Sequence, residues 1–211
     1  MGLRCHLGGR GADARGAAFG GDPTVAVAVK ICGITDTGVA RAAWAAGADY
    51  LGLVFYPLSP RHLAPREARA LAEAAPGRWV AVFKDPTWQE IATVLAEVPV
   101  SGVQCHGKCP PHWILRVHER GLLAISTHLE ETGADVWLLD GPQAGSGQAW
   151  AWRLPDDGRP YWIAGGLNPE NVAAVVRRIR PAGVDVSSGV ERDGKKDVGR
   201  VVRFIEEAKQ A

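Results

Sequence analysis

From Val25 onward the hydrophobic positions follow two alternating habits. Short runs of apolar or β-branched residues, apolar on both sides, give way to stretches with apolar residues at i, i+3, i+4 and i+7. The second habit predicts amphipathic helices. Ala68, Leu71, Ala72 and Ala75 form one such set, and Ile91, Val94, Leu95 and Val98 another. Val172, Val175, Val176 and Ile179 form a third, and Val198, Val201, Val202 and Ile205 a fourth. Two helix starts are marked: Asp85 before Pro86 and Asn168 before Pro169 each read as an N-cap followed by proline at N1. The first habit predicts strands at 25–32, 49–55, 78–83, 101–105, 122–126, 136–140, 161–164 and 184–187. Two-sided apolar strands suit a parallel sheet covered by helices.

Eight strands with helices between most of them predict an α/β chain, a single-domain (β/α)8 TIM barrel over residues 25–211. That length is small for the type, so the connections must be minimal. The stretch Thr127–Asp135 is too short for a helix, which reduces the connection between strands five and six to a loop. A short sixth helix is expected around Trp150–Leu154. The alternative is an open doubly wound sheet. Its glycine-rich nucleotide turn, G-x-G-x-x-G, is not supplied by Gly33-Ile34-Thr35-Asp36 after strand one. Residues 1–24, rich in Gly and Arg, read as a disordered N-terminal tail or an over-extended start of the reading frame. Organelle targeting is the lesser alternative.

Charge and composition narrow the function. The formal net charge is +1, without the one-sided basic excess of a nucleic-acid binder. No apolar run approaches the ~20 residues of a membrane span, and the N-terminus lacks a signal-peptide core. Cys5, Cys32, Cys105 and Cys109 are too sparse for a secreted disulfide scaffold and read as reduced thiols of a cytoplasmic protein. Cys105, His106, Cys109 and His112 invite a zinc reading. Cys105 and His106, however, are neighbours on a strand and point to opposite faces, so no metal is expected. The eight tryptophans read as helix–sheet packing and surface anchors.

A barrel of this kind carries its site at the C-terminal strand ends. There Gly165-Gly166 leads into the helix capped by Asn168, and Ser187-Ser188-Gly189 follows the next strand. Glycines let backbone approach an anion closely, and N–H groups at a helix start point towards it. Loops after strands seven and eight are the usual phosphate site of these barrels. Gly165, Gly166, Ser188 and Gly189 are therefore candidate phosphate ligands, with ordinary turn chemistry as the plain alternative.

The ordered set of strand-end motifs resembles the phosphoribosylanthranilate isomerase family. It comprises Lys30-Ile31-Cys32-Gly33-Ile34-Thr35, Gly47-Ala48-Asp49 with Gly52-Leu53-Val54-Phe55, Ser59-Pro60-Arg61 and Val103-Gln104-Cys105-His106-Gly107. Leu139-Asp140, Gly145-Ser146-Gly147, Gly165 to Val172 and Val184 to Glu191 follow in the family's order. The resemblance runs from about Val27 to the end, and the family shares the missing fifth helix. It implies an Amadori rearrangement in tryptophan biosynthesis, from an aldosamine, N-(5′-phosphoribosyl)anthranilate, to a 1-deoxyribulose 5-phosphate. It also implies Cys32 as general base, Asp140 as general acid and Arg61 as the ligand of the anthranilate carboxylate, with His106 and Asp185 lining the pocket. Asp185 could equally be a structural acceptor beneath the phosphate loop. No cofactor is expected, because the substrate nitrogen acts as electron sink. The partner is a small phosphorylated substrate, and monomer and homodimer both fit.

The implied pair carries a tension. A free thiol titrates near 8.5 and an Asp near 3.9, so at neutral pH base and acid rest in the wrong protonation states. The site must shift one of them or work through a minor form. The sequence also departs from the family pattern. Cys105 replaces an aliphatic residue, Lys84-Asp85 stands where Asn is common, and the loop Pro142–Ala149 is short. The rival functions are a histidine-pathway or dual-specific aminoaldose isomerase, whose barrels are longer and use Asp in place of Cys32, and a non-catalytic phosphosugar-binding barrel.

Overall fold

The structure is a computed structural model that describes residues 26–128, 133–141 and 154–211. The strands are β1 (Ala28–Cys32), β2 (Tyr50–Val54), β3 (Trp79–Lys84), β4 (Gly102–His106), β5 (Leu123–Ser126), β6 (Val136–Asp140), β7 (Tyr161–Ala164) and β8 (Gly183–Val186). They pair in sequence order, all parallel, and β8 returns to β1, closing an eight-stranded barrel. Each predicted strand is present, with ends shifted by a few residues at most. The closed order excludes the open doubly wound sheet.

Six helices are described: α1 (Thr37–Ala45), α2 (Pro65–Ala74), α3 (Trp88–Glu97), α4 (Pro111–His118), α5 (Val172–Ile179) and α6 (Val198–Lys209). Four of them carry the predicted apolar sets. Among the described residues no helix lies between β5 and β6. The expected sixth helix near Trp150–Leu154, the loop Pro142–Ala149 and the N-terminal tail lie outside the described residues. Among the described residues no helix is long and apolar enough to cross a membrane.

Both predicted caps are corrected. Asp85 does not cap α3. It sits at φ +46°, and its Oδ1 accepts the N–H of Lys108 at 2.9 Å, tying the end of β3 to the loop after β4. The cap is Thr87, whose Oγ1 accepts the N–H of Glu90 while Glu90 accepts the N–H of Thr87. This reciprocal capping box outcompetes an aspartate placed two residues too early. Asn168 does not cap α5, whose N-cap is Asn171. Its Oδ1 accepts the N–H groups of Glu170 and Asn171 at 2.9 and 3.0 Å, in the turn that leads into α5.

The core has two parts, set by the period-2 alternation of strands. Outward residues such as Val29, Ile31, Leu51, Leu53 and Val184 pack under the helices. Inward residues such as Ala28, Tyr50, Val80, Leu123, Val136 and Trp162 fill the barrel floor. Trp162 therefore departs from the expected helix–sheet role. It is fully buried inside the barrel with Tyr50 at 5.3 Å between ring centroids, and Gly183 makes room, since a Cβ there would lie 2.6 Å from the indole.

Candidate active site

Above that aromatic floor lies a layer of polar residues. Lys30, Gln104 and Asp185 are buried among the inward-facing side chains. The Lys30 ammonium meets both carboxylate oxygens of Asp185 at 3.0 Å. Burial opposes the charge of each group. Asp185 and Cys32 outweigh it at Lys30, whose pKa rises. Asp185 is raised by burial, against the pull of Lys30. The bidentate contact assigns an ion pair.

The next layer opens into a cavity of about 360 Å³ at the C-terminal strand ends. Every predicted site residue lines it: Cys32 from β1, Arg61 from the loop after β2, His106 from β4, Asp140 from β6, Gly165 and Gly166 after β7, Asp185 from β8, and Ser188 and Gly189 beyond. Asp185, left open above, is the partner of Lys30 and also part of the cavity wall.

Cys32 is buried, and its thiol is pushed up by burial, with Lys30 the foremost opposing pull. Asp140 stands at the open mouth, yet enough protein surrounds its carboxyl to raise it to about 6, through lost solvation first and Asp185 next. His106 is lowered to about 4 by burial and by Lys30 and Lys84. Its Nε2 lies 2.6 Å from the Gln104 amide nitrogen. With the neutral ring as acceptor, the amide N–H donates to it, so His106 offers no positive charge to an anion.

Arg61 departs from the simple expectation of a free carboxylate receptor. Its Nε and Nη2 donate to both oxygens of Glu191 at 2.6 and 2.7 Å. Glu191 opens a small hairpin, β9 (Glu191–Arg192) with β10 (Lys195–Lys196), and also binds Lys196 at 2.5 Å. The Lys196 ammonium reaches the Ser187 carbonyl at 3.3 Å, and the Ser187 hydroxyl donates to the Cys32 carbonyl at 3.3 Å. The guanidinium is thus held on its Nε/Nη2 edge by Glu191. Gly33 makes this possible, because a Cβ there would lie 2.3 Å from the Arg61 Cδ.

The two glycine loops press together. Gly165 and Gly166 have φ of +81° and +70°. A Cβ on Gly165 would lie 2.8 Å from Asp140 Oδ1, and one on Gly189 would lie 1.8 Å from the Leu167 carbonyl. Ser188–Val190 forms a short 3-10 turn whose start lines the cavity. Residues 29–207 match the family model described as N-(5′-phosphoribosyl)anthranilate (PRA) isomerase.

The chain belongs to that family. It is 38% identical to the N-(5′-phosphoribosyl)anthranilate isomerase of Streptococcus pneumoniae over 86% of this chain and 95% of the relative. The crystal structure of phosphoribosyl anthranilate isomerase from Thermus thermophilus is 35% identical, with a TM-score of 0.74 over 86% of this chain and 98% of that one. A second structure of the enzyme, in complex with reduced 1-(o-carboxyphenylamino)-1-deoxyribulose 5-phosphate, is 35% identical, with a TM-score of 0.74 over 88% and 100% of the two chains.

Four residues of the site carry no role in the sequence reading: Lys30, Gln104, Glu191 and Lys196. Lys30 left a signal. A lysine inside a two-sidedly apolar strand, two positions before Cys32, must face the barrel interior with it. Glu191 and Lys196 left none, because a charged pair in a loop is ordinarily solvated. Cys105 packs outward under the helices, away from His106, and among the described residues no cluster suited to a metal ion occurs.

Proposed function

We propose that the chain catalyses the Amadori rearrangement of N-(5′-phosphoribosyl)anthranilate to 1-(2-carboxyphenylamino)-1-deoxyribulose 5-phosphate. The observation that carries this reading is the convergence of Cys32, Asp140, Arg61 and the two glycine loops on one cavity in a member of this family. In this reading Gly165, Gly166, Ser188 and Gly189 hold the phosphate through backbone N–H groups, and Arg61 offers its free edge to the anthranilate carboxylate. Asp140 protonates the furanose ring oxygen, and the ring opens to an iminium. Cys32 then takes the C2 proton, giving an enolamine that tautomerises to the ketone. The iminium nitrogen accepts the electron pair, so the chemistry calls for no further electron sink. A catalytic thiol favours a reducing compartment such as the cytoplasm.

The protonation tension resolves on one side only. Burial raises Asp140 to about 6, toward the acid the reaction needs. The same effect raises Cys32, away from the base it needs. With an acid near 6 and a thiol above its ordinary ~8.5, fewer than about one molecule in a few hundred holds carboxylic acid and thiolate together. Between those two values this fraction does not change with pH, since one group gains the required form as the other loses it.

The test is loss of substrate anthranilate fluorescence with purified protein and no added metal or cofactor. Cys32→Ala and Asp140→Asn should each lower kcat by about 10²–10⁴ with an unchanged circular dichroism spectrum. Near-parental turnover in both variants would sink the assigned pair. Turnover of only the histidine-pathway aminoaldose would sink the substrate.

A further inference from the structure

We propose that Lys30 is a positioning residue for Cys32: its buried ammonium, clamped by Asp185, lies beside the sulfur and supports the thiolate. This deepens the reading of Cys32 as the base and rests on it. Lys30 is 0% exposed and Asp185 6%. The two Lys30–Asp185 contacts of 3.0 Å fix the ammonium. Lys30 and Cys32 stand two apart on β1, so both face the interior. Gly52, the β2 neighbour of Cys32 in register, shows how near they come. A Cβ on Gly52 would lie 3.0 Å from the Cys32 Sγ and 3.3 Å from the Lys30 Nζ. Sulfur and ammonium thus border one small space that a glycine leaves open.

A buried ion pair is a poor device for stability alone, because apolar side chains of similar volume do as well or better. Its position under the reactive sulfur gives it another use. The other charges around Cys32 are accounted for. Asp185 on β8 opposes a thiolate, and Lys30 outweighs it there. Lys196 on β10 adds a positive contribution, and Arg61 faces the sulfur from the loop after β2; Glu191 partners both cations. Asp140, His106, Lys84 and Tyr56 are the remaining titratable residues of the cavity wall. Lys30 is the foremost group acting against the burial of the sulfur.

The experiment measures the rate of iodoacetamide alkylation at the Cys32 peptide, by mass spectrometry, from pH 7 to 9. That rate tracks the thiolate and needs no turnover. Lys30→Met should lower it about tenfold and lower kcat by a similar factor, with KM little changed. The alkylation rate should recover as pH rises, whereas the kcat deficit should stay constant above about pH 6, because Asp140 loses its proton as the thiolate is gained. If K30M fails to fold, K30M/D185N removes both charges and leaves none unpaired. A fall of about threefold is then expected, because the opposing carboxylate is lost as well. An unchanged alkylation rate in a folded variant overturns the proposal, even if turnover falls. Parental activity in Cys32→Ala would instead overturn the base assignment, and the alkylation result would stand apart from it.

Discussion

On the β1, β2 and β8 side of the mouth, charge is stacked on charge. Lys30 holds Asp185, Arg61 holds Glu191, and Glu191 holds Lys196. On the β6 and β7 side Asp140 stands beside Gly141 and Gly165, with no ion pair of its own among the described residues. The difference decides how each wall sets a pKa. A carboxyl without a cation in contact responds mainly to lost solvation, and rises. The thiol on the charged wall feels the same lost solvation, countered by Lys30 and Lys196. One physical effect therefore pushes both groups toward their protonated forms, which suits the proposed acid and works against the proposed base, and the cations of the charged wall limit the shift of the thiol.

The largest effect that tests this contrast is a pH profile. With Asp140 near 6, kcat/KM should be flat from about pH 6 up to the thiol's own range. Below 6 it should fall tenfold per unit, to about one hundredth at pH 4, because thiolate is lost and no further acid is gained. In Asp140→Asn the break near 6 should vanish, and the residual rate should climb steadily with pH. A break that survives in D140N belongs to another group, such as the substrate phosphate, and the two walls would then not divide the work as described. A smaller effect is expected from the Arg61 end of the charged wall, where the proposed function places the anthranilate carboxylate. Arg61→Met should raise KM about 10- to 100-fold with kcat little changed, as for a charged hydrogen bond of ~1.5–3 kcal/mol. Glu191→Gln keeps an acceptor for the guanidinium and should raise KM only about threefold. A kcat loss in R61M larger than its KM rise would place Arg61 in the chemistry rather than in binding.

The barrel was legible because its signals are local. Short runs apolar on both sides marked every strand within a few residues, and i, i+3, i+4 spacing marked α2, α3, α5 and α6. The error at Asp85 was one of tertiary override: Lys108, distant in sequence, claims its carboxylate, and the Thr87–Glu90 box serves as cap instead. Trp162 was misplaced because composition cannot tell the inside of a barrel from the layer under its helices. The roles of Cys32 and Asp140 came from family resemblance, and the sequence left open which of them the site prepares. That depends on Lys30, Asp185 and Lys196 meeting around one sulfur, from strands far apart in the chain. Arg61 was found by motif, but its occupied edge follows from a hairpin with no hydrophobic pattern to announce it.

The smallest expected effect is on stability, and it also separates the walls. Asp140 ionises at about 6 in the folded chain, against an ordinary 3.8. Folding therefore favours its protonated form. The cost of the folded carboxylate is fully present above about pH 6 and is lost as pH falls toward 3.8. Asparagine carries no such cost. D140N should accordingly raise Tm at pH 7.5 by a degree or two, a gain kept small because the mouth is open to water. The gain should shrink between pH 6 and 4 and be gone below that. Cys32→Ala should show no pH-linked gain over this window, since the thiol is protonated in folded and unfolded chains alike below its ordinary range. Melting curves at pH 4, 6 and 7.5 would check both. A D140N gain that persisted at pH 4 would come from packing rather than charge, and the raised carboxyl would lose its support as the feature that suits Asp140 to the proposed acid role.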